Sequence, residues 1–289
     1  MMEFMDALNS QTITRRRSLI NTTAKPFVKW IGGKRSLLQE ILPRIPPTFT
    51  TYYEPFVGGG AVYFSLAPTL KAAVLVDTNQ ELMDAYQAIK TNPSALMRHL
   101  KIHAKKHDKQ HYYSVRDREG KNQLTRAARF LYLNKTCYNG LYRVNSAGKF
   151  NAPMGSYIAP NIVQEDNIWA CHTVLQNAEC RHGDFEDVEP KKNDFVYFDP
   201  PYHPLNETSK FTQYHSDSFN EDDQLRLRDF IQNLHDDGVK IMLSNSDTPF
   251  IWDIYSASYF KKHIVHAPRF VNCKADQRGK ITELLITNY

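Results

Sequence analysis

Short apolar runs alternate with stretches of helical periodicity along the chain from Lys25 onward. Four of these runs have the length and the residue types of buried strands: residues 52–54, 73–76, 195–198 and 239–243. Helical segments separate most of the runs, and a helix between two strands is the crossover that a parallel pair requires. The sequence therefore predicts an α/β fold with a mostly parallel sheet and helices on both of its faces.

The length and composition indicate an intracellular protein with one large core. A chain of 289 residues suits one core with a smaller appendage, because single cores stop growing at about 250 to 300 residues. The sequence has no apolar run of the ~18 residues that cross a bilayer, and no apolar stretch typical of a secretion signal. We therefore expect a cytoplasmic protein without membrane contact. Residues 1–24 are polar and carry Arg15, Arg16 and Arg17, which predicts a mobile tail.

Basic side chains are concentrated in residues 91–160. This segment holds thirteen Lys or Arg against three acids, a net charge of +10, whereas the whole chain carries +5 and the remaining residues therefore carry −5. Such a concentration of positive charge is typical of a surface that binds a polyanion; the alternative is a set of solvated helix faces. We predict a binding insert at 91–160 within a catalytic domain formed by 25–90 and 161–289.

Within this insert, periodicity predicts helices over residues 94–109 and 124–134. Turn signals follow at Asn139-Gly140 and Ser146-Ala147-Gly148, and the second is flanked by residues able to pair as a small hairpin. Four histidines repeat at intervals of four within or beside the first predicted helix: His99, His103, His107 and His111. A helical metal stripe would need a further ligand, which no motif supplies, so a solvated or phosphate-facing helix is the preferred interpretation and no metal is expected. The cysteines show no C-x-x-C spacing, which favours buried free thiols at Cys137, Cys171, Cys180 and Cys273.

A glycine run, Gly58-Gly59-Gly60, directly follows the first predicted strand. Backbone without Cβ lets a ligand come close to the sheet edge, where doubly wound folds bind nucleotides. Asp77 ends the next strand, where such folds place an acid that accepts hydrogen bonds from ribose hydroxyls; alternatively Asp77 caps the following helix, a role that Asn79 could also take. The glycines do not form G-x-G-x-x-G, which favours a nucleoside cofactor over a dinucleotide.

The apolar strand 195–198 ends in Asp199-Pro200-Pro201-Tyr202. Two prolines leave the backbone little freedom, so the acid and its neighbouring carbonyl are held rigidly; a purely structural turn is the alternative. An aromatic amine is a poor nucleophile because its lone pair is delocalised into the ring. If the Asp199 carboxylate and the Pro200 carbonyl each accept one amino N–H, the nitrogen is drawn toward tetrahedral geometry, and Tyr202 can stack on the base.

From Phe27 to Tyr289 the chain resembles the DNA adenine-N6 methyltransferases of the alpha group, the Dam-like enzymes. Four blocks carry the resemblance, namely 29–34 (KWIGGK), 54–60 (EPFVGGG), 139–145 (NGLYRVN) and 199–202 (DPPY). The resemblance implies a Rossmann-like fold with a seven-stranded sheet, a helical target-recognition insert, S-adenosyl-L-methionine as methyl donor and double-stranded DNA as substrate. Asp-Pro-Pro-Tyr alone also admits cytosine-N4 methylation, and the other blocks favour adenine. Methylation of RNA or of a protein amide, and a catalytically silent DNA-binding module, remain the alternatives.

The resemblance also implies roles for individual residues. Cofactor binding is implied for Trp30, Lys34, Phe56, Gly58, Gly60, Asp77, Asp184, Phe185 and Asp199, with Asp184 on the adenine side and Asp199 also at the target amine. DNA binding is implied for Lys29 and Tyr157 at an outer guanine, for Tyr138 and Asn139 in the space left by an extruded base, and for Leu141 and Arg143 at other bases. In the family this combination recognises GATC, although Ser156 stands where well-known relatives carry arginine. A monomer is expected, and the resemblance admits a cognate restriction endonuclease that acts on the same site without direct contact.

Overall fold

A computed structural model describes residues 23–205, 219–268 and 280–289, and its centre is a seven-stranded sheet. The strands are β1 (Tyr52–Glu54), β2 (Ala73–Asp77), β3 (Ala178–His182), β4 (Phe195–Phe198), β5 (Lys240–Ser246), β6 (Lys261–Pro268) and β7 (Lys280–Thr287). The four strands predicted from apolar runs are confirmed as β1, β2, β4 and β5. The predicted α/β class is confirmed as well.

The strands lie in the order β3-β2-β1-β4-β5-β7-β6. The first five of these pair in parallel, and β7 lies antiparallel between β5 and β6. From β1 the chain proceeds outward through β2 and β3, and then returns to place β4 on the other side of β1. The order of the strands therefore reverses between β1 and β4, which is where open α/β sheets form a ligand crevice at the carboxyl ends of their strands.

Helices cover both faces of the sheet. They are α1 (Leu38–Ile41), α2 (Ala61–Leu66), α3 (Gln80–Thr91), α4 (Pro93–Lys105), α5 (Lys109–Arg116), α6 (Gln123–Thr136), α7 (Glu165–Leu175), α8 (Glu221–Asp236) and α9 (Pro249–Ile254).

Alternation along β4 explains how one strand serves two cores. Phe195 and Tyr197 face an apolar core shared with α2, α3, α6 and α7, whereas Val196 and Phe198 face a second core shared with α8 and α9. Burial on both faces favours apolar residues at every position of a strand, and β4 is wholly apolar.

The helices of the insert differ in one respect from the prediction. The helix predicted at 94–109 is wrong in extent, because α4 ends at Lys105 and α5 starts after Asp108, whose carboxylate accepts a hydrogen bond from the His111 amide at 2.7 Å. The second predicted helix is confirmed as α6 (Gln123–Thr136), which packs against α3 and α4. The predicted hairpin is confirmed by an antiparallel bridge between Val144 and Phe150.

The break between α4 and α5 also changes the interpretation of the histidines. His103 and His111 approach each other on different helices, with 3.0 Å between Nδ1 and Nε2, and both rings pack near Tyr132. Burial lowers the pKa of His103 to about 4, so its imidazole is neutral. His103 and His111 are therefore turned toward each other and toward Tyr132, whereas the solvated or phosphate-facing position stays a prediction for His99. Among the residues that the structure describes, no group of His, Cys, Asp and Glu could hold a metal ion.

Three smaller expectations meet the structure. Cys137, Cys171 and Cys180 are free and buried, as predicted, while Cys273 lies outside the described residues. Residues 1–22 of the predicted tail also lie outside them, but Ala24 is buried in the core, so the predicted tail extends too far. In the described ranges, no helix is long and apolar enough to span a bilayer.

Candidate functional site

The glycine run after β1 takes backbone conformations that a side chain would obstruct. Gly58 has φ +47° and Gly60 has φ +67°, both in the left-handed region. A Cβ on Gly58 would lie 2.6 Å from the Trp30 indole, and a Cβ on Gly60 would lie 2.5 Å from the Tyr86 hydroxyl. The run is therefore packed tightly on its inner side, and only glycine permits this approach.

Asp77, at the end of β2, holds the glycine run in place. Its Oδ2 accepts the Gly58 N–H and its Oδ1 accepts the Asn79 N–H, both at 2.9 Å. The cap of α3 is Asn79, whose side chain accepts the Leu82 N–H, so the alternative that Asp77 caps this helix is wrong. Burial raises the pKa of Asp77, and the two N–H donors oppose that effect. Each carboxylate oxygen can accept a further hydrogen bond, which is the capacity that a ribose hydroxyl would use.

Asp199, at the end of β4, forms an ion pair with Lys34. The Lys34 ammonium lies 2.7 Å from Asp199 Oδ1, and the two side chains are 7% and 18% exposed. Lys34 Nζ also donates to the Gly32 carbonyl at 2.7 Å. Burial raises the pKa of Asp199 to about 6, because desolvation outweighs the attraction of Lys34, and the Glu283 carboxylate adds to the increase.

Tyr202 completes this group of side chains. The Lys34 ammonium lies 4.6 Å from the centre of the Tyr202 ring, and the Tyr202 hydroxyl donates a hydrogen bond of 2.6 Å to Glu283 Oε2 on β7. Burial and the nearby Asp199 and Glu283 carboxylates raise the pKa of Tyr202 well above its usual value, so the hydroxyl keeps its proton and acts as the donor.

Buried amides fix the backbone around Tyr202. Gln224 on α8 donates to the Pro201 carbonyl at 2.9 Å and accepts from the Asn245 amide at 3.0 Å. Asn245 Oδ1 accepts the His203 N–H at 3.2 Å, and the Ser246 hydroxyl donates to the His203 carbonyl at 2.7 Å. Gln224, Asn245 and Ser246 are at most 3% exposed. The segment from Pro201 to His203 is therefore held on both sides of Tyr202 by hydrogen bonds that solvent cannot replace.

A second part of the crevice is aromatic. The rings of Phe56 and Phe185 stack with 5.6 Å between their centres, next to the glycine run and after β3 respectively. Asp184 accepts the Glu186 N–H at 3.2 Å and pairs with Arg226 at 3.3 Å. The Arg226 guanidinium also lies 4.5 Å from the centre of the Phe185 ring. The role implied for Asp184 in binding a cofactor stays a prediction, because its carboxylate is already used in these contacts.

The segment 29–34 connects this crevice to the insert. Lys29 extends its ammonium over the Tyr157 ring at 4.0 Å, and its alkyl chain occupies the space where Gly140 lacks a Cβ. Trp30 packs on Gly58 and stacks on Tyr142, with 5.7 Å between ring centres. Lys34 pairs with Asp199. Through Lys29, Trp30 and Lys34, the segment 29–34 therefore contacts the insert, the glycine run and the Asp-Pro-Pro-Tyr segment.

Apart from Lys29, the DNA-contact residues implied by resemblance lie on the insert, where Tyr138, Asn139 and Arg143 are exposed. Tyr138 is 55% exposed, and Asn139 has φ +54° at the tip of a short 3-10 turn. Leu141 is partly buried, and Arg143 is exposed with its guanidinium donating to the Asn151 side chain at 2.7 Å and to the Asn151 carbonyl at 3.2 Å. The structure thus brings Lys29, Tyr157 and the Tyr138–Gly140 turn together, and Arg143 lies farther along the hairpin.

Several cations of the insert are already neutralised by acids outside it. Arg126 pairs with Asp84 at 2.6 Å and Arg129 pairs with Glu81 at 2.5 Å, and both acids lie on α3. Lys101 pairs with Glu165 at 3.0 Å on α7. The charge of +10 counted along the sequence therefore overstates the number of cations that are free to contact phosphates.

The sequence-based reasoning did not identify Glu283, Gln224, Asn245 or Ser246. The signal for Glu283 was present, since it is the one charged residue in the stretch 281–287 of strand β7. The buried amides had no comparable signal, because Asn and Gln at strand ends and on helices are common at surfaces.

Comparison with known proteins agrees with this arrangement. Residues 30–269 match the family described as D12 class N6 adenine-specific DNA methyltransferase. The Type II methyltransferase M1.LlaDCHI of Lactococcus lactis subsp. cremoris is 43% identical, over 92% of this chain and 95% of that protein. The Type II methyltransferase M.MjaIII of Methanocaldococcus jannaschii is also 43% identical, over 92% and 99%. The DNA adenine methylase of Escherichia coli K12 is 33% identical, over 90% and 94%.

Proposed function

The chain belongs to the D12 class of N6 adenine-specific DNA methyltransferases, and from this premise we propose that it flips an adenine out of duplex DNA and methylates its N6 within GATC. The methyl donor implied by the family is S-adenosyl-L-methionine. The observation that carries the proposal is the convergence of Lys34, Asp199 and Tyr202 beside the glycine run at the point where the strand order reverses.

The residues around the glycine run fit a nucleoside cofactor. Gly58 and Gly60 let the loop after β1 pack against Trp30 and Tyr86 in left-handed conformations, and Asp77, which accepts the Gly58 N–H, keeps acceptor capacity for ribose hydroxyls. Phe56 is partly exposed and is supported from behind by the buried Phe185 ring, so Phe56 could offer an apolar contact to a purine. When bound, S-adenosylmethionine supplies an electrophilic methyl group on a positively charged sulfur.

Asp199 and the Pro200 carbonyl would accept the two N–H groups of the target amine. With both N–H groups held by these two acceptors, the nitrogen lone pair would point away from them and toward the methyl group that the bound cofactor would supply. The proton leaves the nitrogen after attack, when the positive charge has lowered the pKa of the amine. The residues contribute positioning and electrostatics, and the reaction needs no covalent enzyme intermediate.

Base flipping is proposed because N6 of a paired adenine cannot reach Asp199 inside the helix. Extruding a base costs roughly a few kcal/mol, which phosphate contacts and filling side chains can offset. Tyr138 and Asn139 suit the filling role, since both are exposed at the tip of a turn anchored beside Lys29.

The specificity for GATC is supported by the side chains on the same exposed side. Arg143 carries donors that match guanine O6 and N7, and it would exchange its contacts with Asn151 for the base. Lys29 and Tyr157 form a cation–π pair suited to a second guanine, and Leu141 suits the thymine methyl. Two relatives are named Type II methyltransferases, which supports a role in a restriction-modification system. We expect a monomer that shares its site with an endonuclease without contacting it, and that acts on DNA in the cytoplasm.

One assay tests the proposal and separates its rivals. The chain should transfer a labelled methyl group from S-adenosylmethionine to duplex DNA, and methylation mapping on a random-sequence library should return GATC. Asp199→Ala should abolish transfer while DNA binding is retained. Transfer to RNA or to a protein amide in preference to DNA, or a motif other than GATC, would contradict the substrate or the specificity; Asp199→Ala activity within about tenfold of wild type, ~1.4 kcal/mol, would contradict the mechanism.

Arg143→Ala tests the reading of one G·C pair. It should narrow the preference for GATC over sites altered at that pair by ~1 to 3 kcal/mol, because a bidentate contact discriminates by about that amount. Lys149→Ala is a matched control on the same hairpin, where Lys149 is exposed, and it should weaken binding to all sequences alike. An Arg143→Ala motif unchanged at every position would show that Arg143 only contacts phosphate.

A further inference from the structure

Glu283 lies on β7, at a position that the sheet makes rigid. β7 is paired on both sides, and the register places Glu283 beside Ser246 of β5 and beside Val265 of β6. A side chain on a strand that is hydrogen-bonded along both edges starts from a backbone with little freedom. Glu283 therefore presents its carboxylate to Tyr202 from a fixed point in the fold.

The charge of Glu283 is unfavourable for the ionised form of Asp199. The Glu283 side chain is partly buried, and its negative charge raises the pKa of Asp199, which is itself largely buried. Two carboxylates near each other in a poorly solvated place repel, and an apolar residue at position 283 would avoid this repulsion. An acid placed against another acid beside reacting groups is a candidate for function.

The Tyr202 ring can stack on a base only if its orientation is fixed. The backbone on either side is held by Gln224, Asn245 and Ser246, as described above, but these contacts leave the ring free to turn about its side-chain bonds. The hydrogen bond of 2.6 Å to Glu283 fixes the far end of the ring, and Lys34 lies against one face at 4.6 Å. The ring is thus constrained at its hydroxyl and on one face.

We propose that Glu283 is a positioning residue for methyl transfer, which holds the Tyr202 ring in the orientation that stacks on the extruded adenine beside Asp199. The inference rests on the proposed function, since it requires an adenine in the crevice. Glu283 acts through Tyr202 and does not touch the substrate.

Four variants separate this role from a merely structural one. Glu283→Ala removes the hydrogen-bond acceptor, and Glu283→Gln retains an acceptor oxygen without the charge. Tyr202→Phe removes the donor and keeps the ring. The fourth variant combines Glu283→Ala with Tyr202→Phe. Glu179→Ala is the control, because Glu179 is also a strand acid but pairs at the surface with Arg181 on β3. Thermal unfolding, DNA affinity and cofactor affinity are measured for each variant.

The main readout is the single-turnover rate of methyl transfer to GATC duplex DNA at saturating cofactor. Glu283→Ala and Tyr202→Phe should each lower this rate roughly 10- to 100-fold, the size expected for a lost hydrogen bond to a charged group. Glu283→Gln should stay within about threefold of wild type. The double variant should be no slower than the slower single variant by more than about twofold, because both substitutions break the same bond.

A second readout follows the base without any chemistry. With 2-aminopurine at the target position and the unreactive analogue sinefungin as the cofactor, Glu283→Ala should fluoresce more strongly than wild type, since a base that no longer stacks on Tyr202 is less quenched. A Glu283→Ala rate within threefold of wild type, losses that multiply in the double variant, or an effect confined to cofactor KM would overturn the proposal. If Glu283→Ala does not fold, a Tyr202→Phe rate within threefold of wild type overturns it. Wild-type protein that fails to methylate DNA would instead refute the proposed function, before any variant is compared.

Discussion

The rate of methyl transfer should fall as the pH is lowered through about 6, because Asp199 must be ionised to accept the amine N–H. Burial raises the pKa of this carboxyl to about 6 from its ordinary value near 3.8. With a single ionisation at that pKa, the active fraction is ~0.9 at pH 7 and ~0.1 at pH 5. The second-order rate constant, measured with neither substrate saturating, should therefore drop about tenfold between these values. Under those conditions the profile reports the pKa of the free enzyme.

Two variants should shift the acidic limb of the pH–rate profile, the part where the rate falls with decreasing pH, in opposite directions. Lys34 stabilises the Asp199 carboxylate, so Lys34→Met should shift the limb to higher pH. Glu283 opposes ionisation, so Glu283→Gln should shift the limb to lower pH. Only the position of the limb is compared, because Lys34→Met also lowers the absolute rate if Lys34 contacts the cofactor.

DNA affinity measured over the same pH range is the control for a loss of binding. A profile that is flat from pH 7 to pH 5 would show that Asp199 is not desolvated in the way the structure indicates. A limb that stays in place in both variants would show that another group is titrating.

Three further outcomes are expected. Burial raises the pKa of Glu54 from 4.5 to about 8, so between these pH values the folded state holds a proton that the unfolded chain has lost. The free energy of unfolding of the wild type should therefore fall by ~1.4 kcal/mol per pH unit as the pH rises through this window. The free energy of unfolding of Glu54→Gln, measured with denaturant, should rise by several kcal/mol relative to wild type across the window, and a difference that stays constant with pH would contradict this prediction. Asp77→Ala should weaken cofactor binding by about tenfold in calorimetry, since it removes both an acceptor for ribose and the partner of Gly58; unchanged affinity would exclude Asp77 from the cofactor site. The slope of log Kd for duplex DNA against log salt should stay below the ~9 that ten phosphate contacts would give, because Arg126 and Arg129 are paired with acids of α3, whereas a salt-independent affinity would mean that the basic surface does not meet DNA.

Most of the fold could be predicted because the sheet is buried on both faces. β4 consists of four consecutive apolar residues, as expected for a strand covered on both faces, and β5 contains the apolar run 241–243. β6 and β7 were not located from apolar runs, since polar and charged residues interrupt them and their antiparallel pairing at the sheet edge exposes one of them. The helix over 94–109 was overextended because periodicity continues through Lys106 and His107, while the Asp108 cap starts a new helix there.

Some residues of the candidate site could be predicted from their place at the end of a strand, whereas their partners could not. Gly58, Asp77, Asp199 and Tyr202 could be predicted because each follows a strand directly, and the ends of parallel strands meet at one edge. The partners of these residues are not encoded by local spacing: Tyr202 is 81 positions from Glu283 in sequence, and the contact exists only because β7 is inserted between β5 and β6. Glu283 is the one acid of β7, and its partly buried charge lies near the Asp199 carboxylate, an unfavourable pairing that indicates a functional role. The sequence can therefore mark Glu283 as unusual, whereas identifying Tyr202 as its partner requires the strand order.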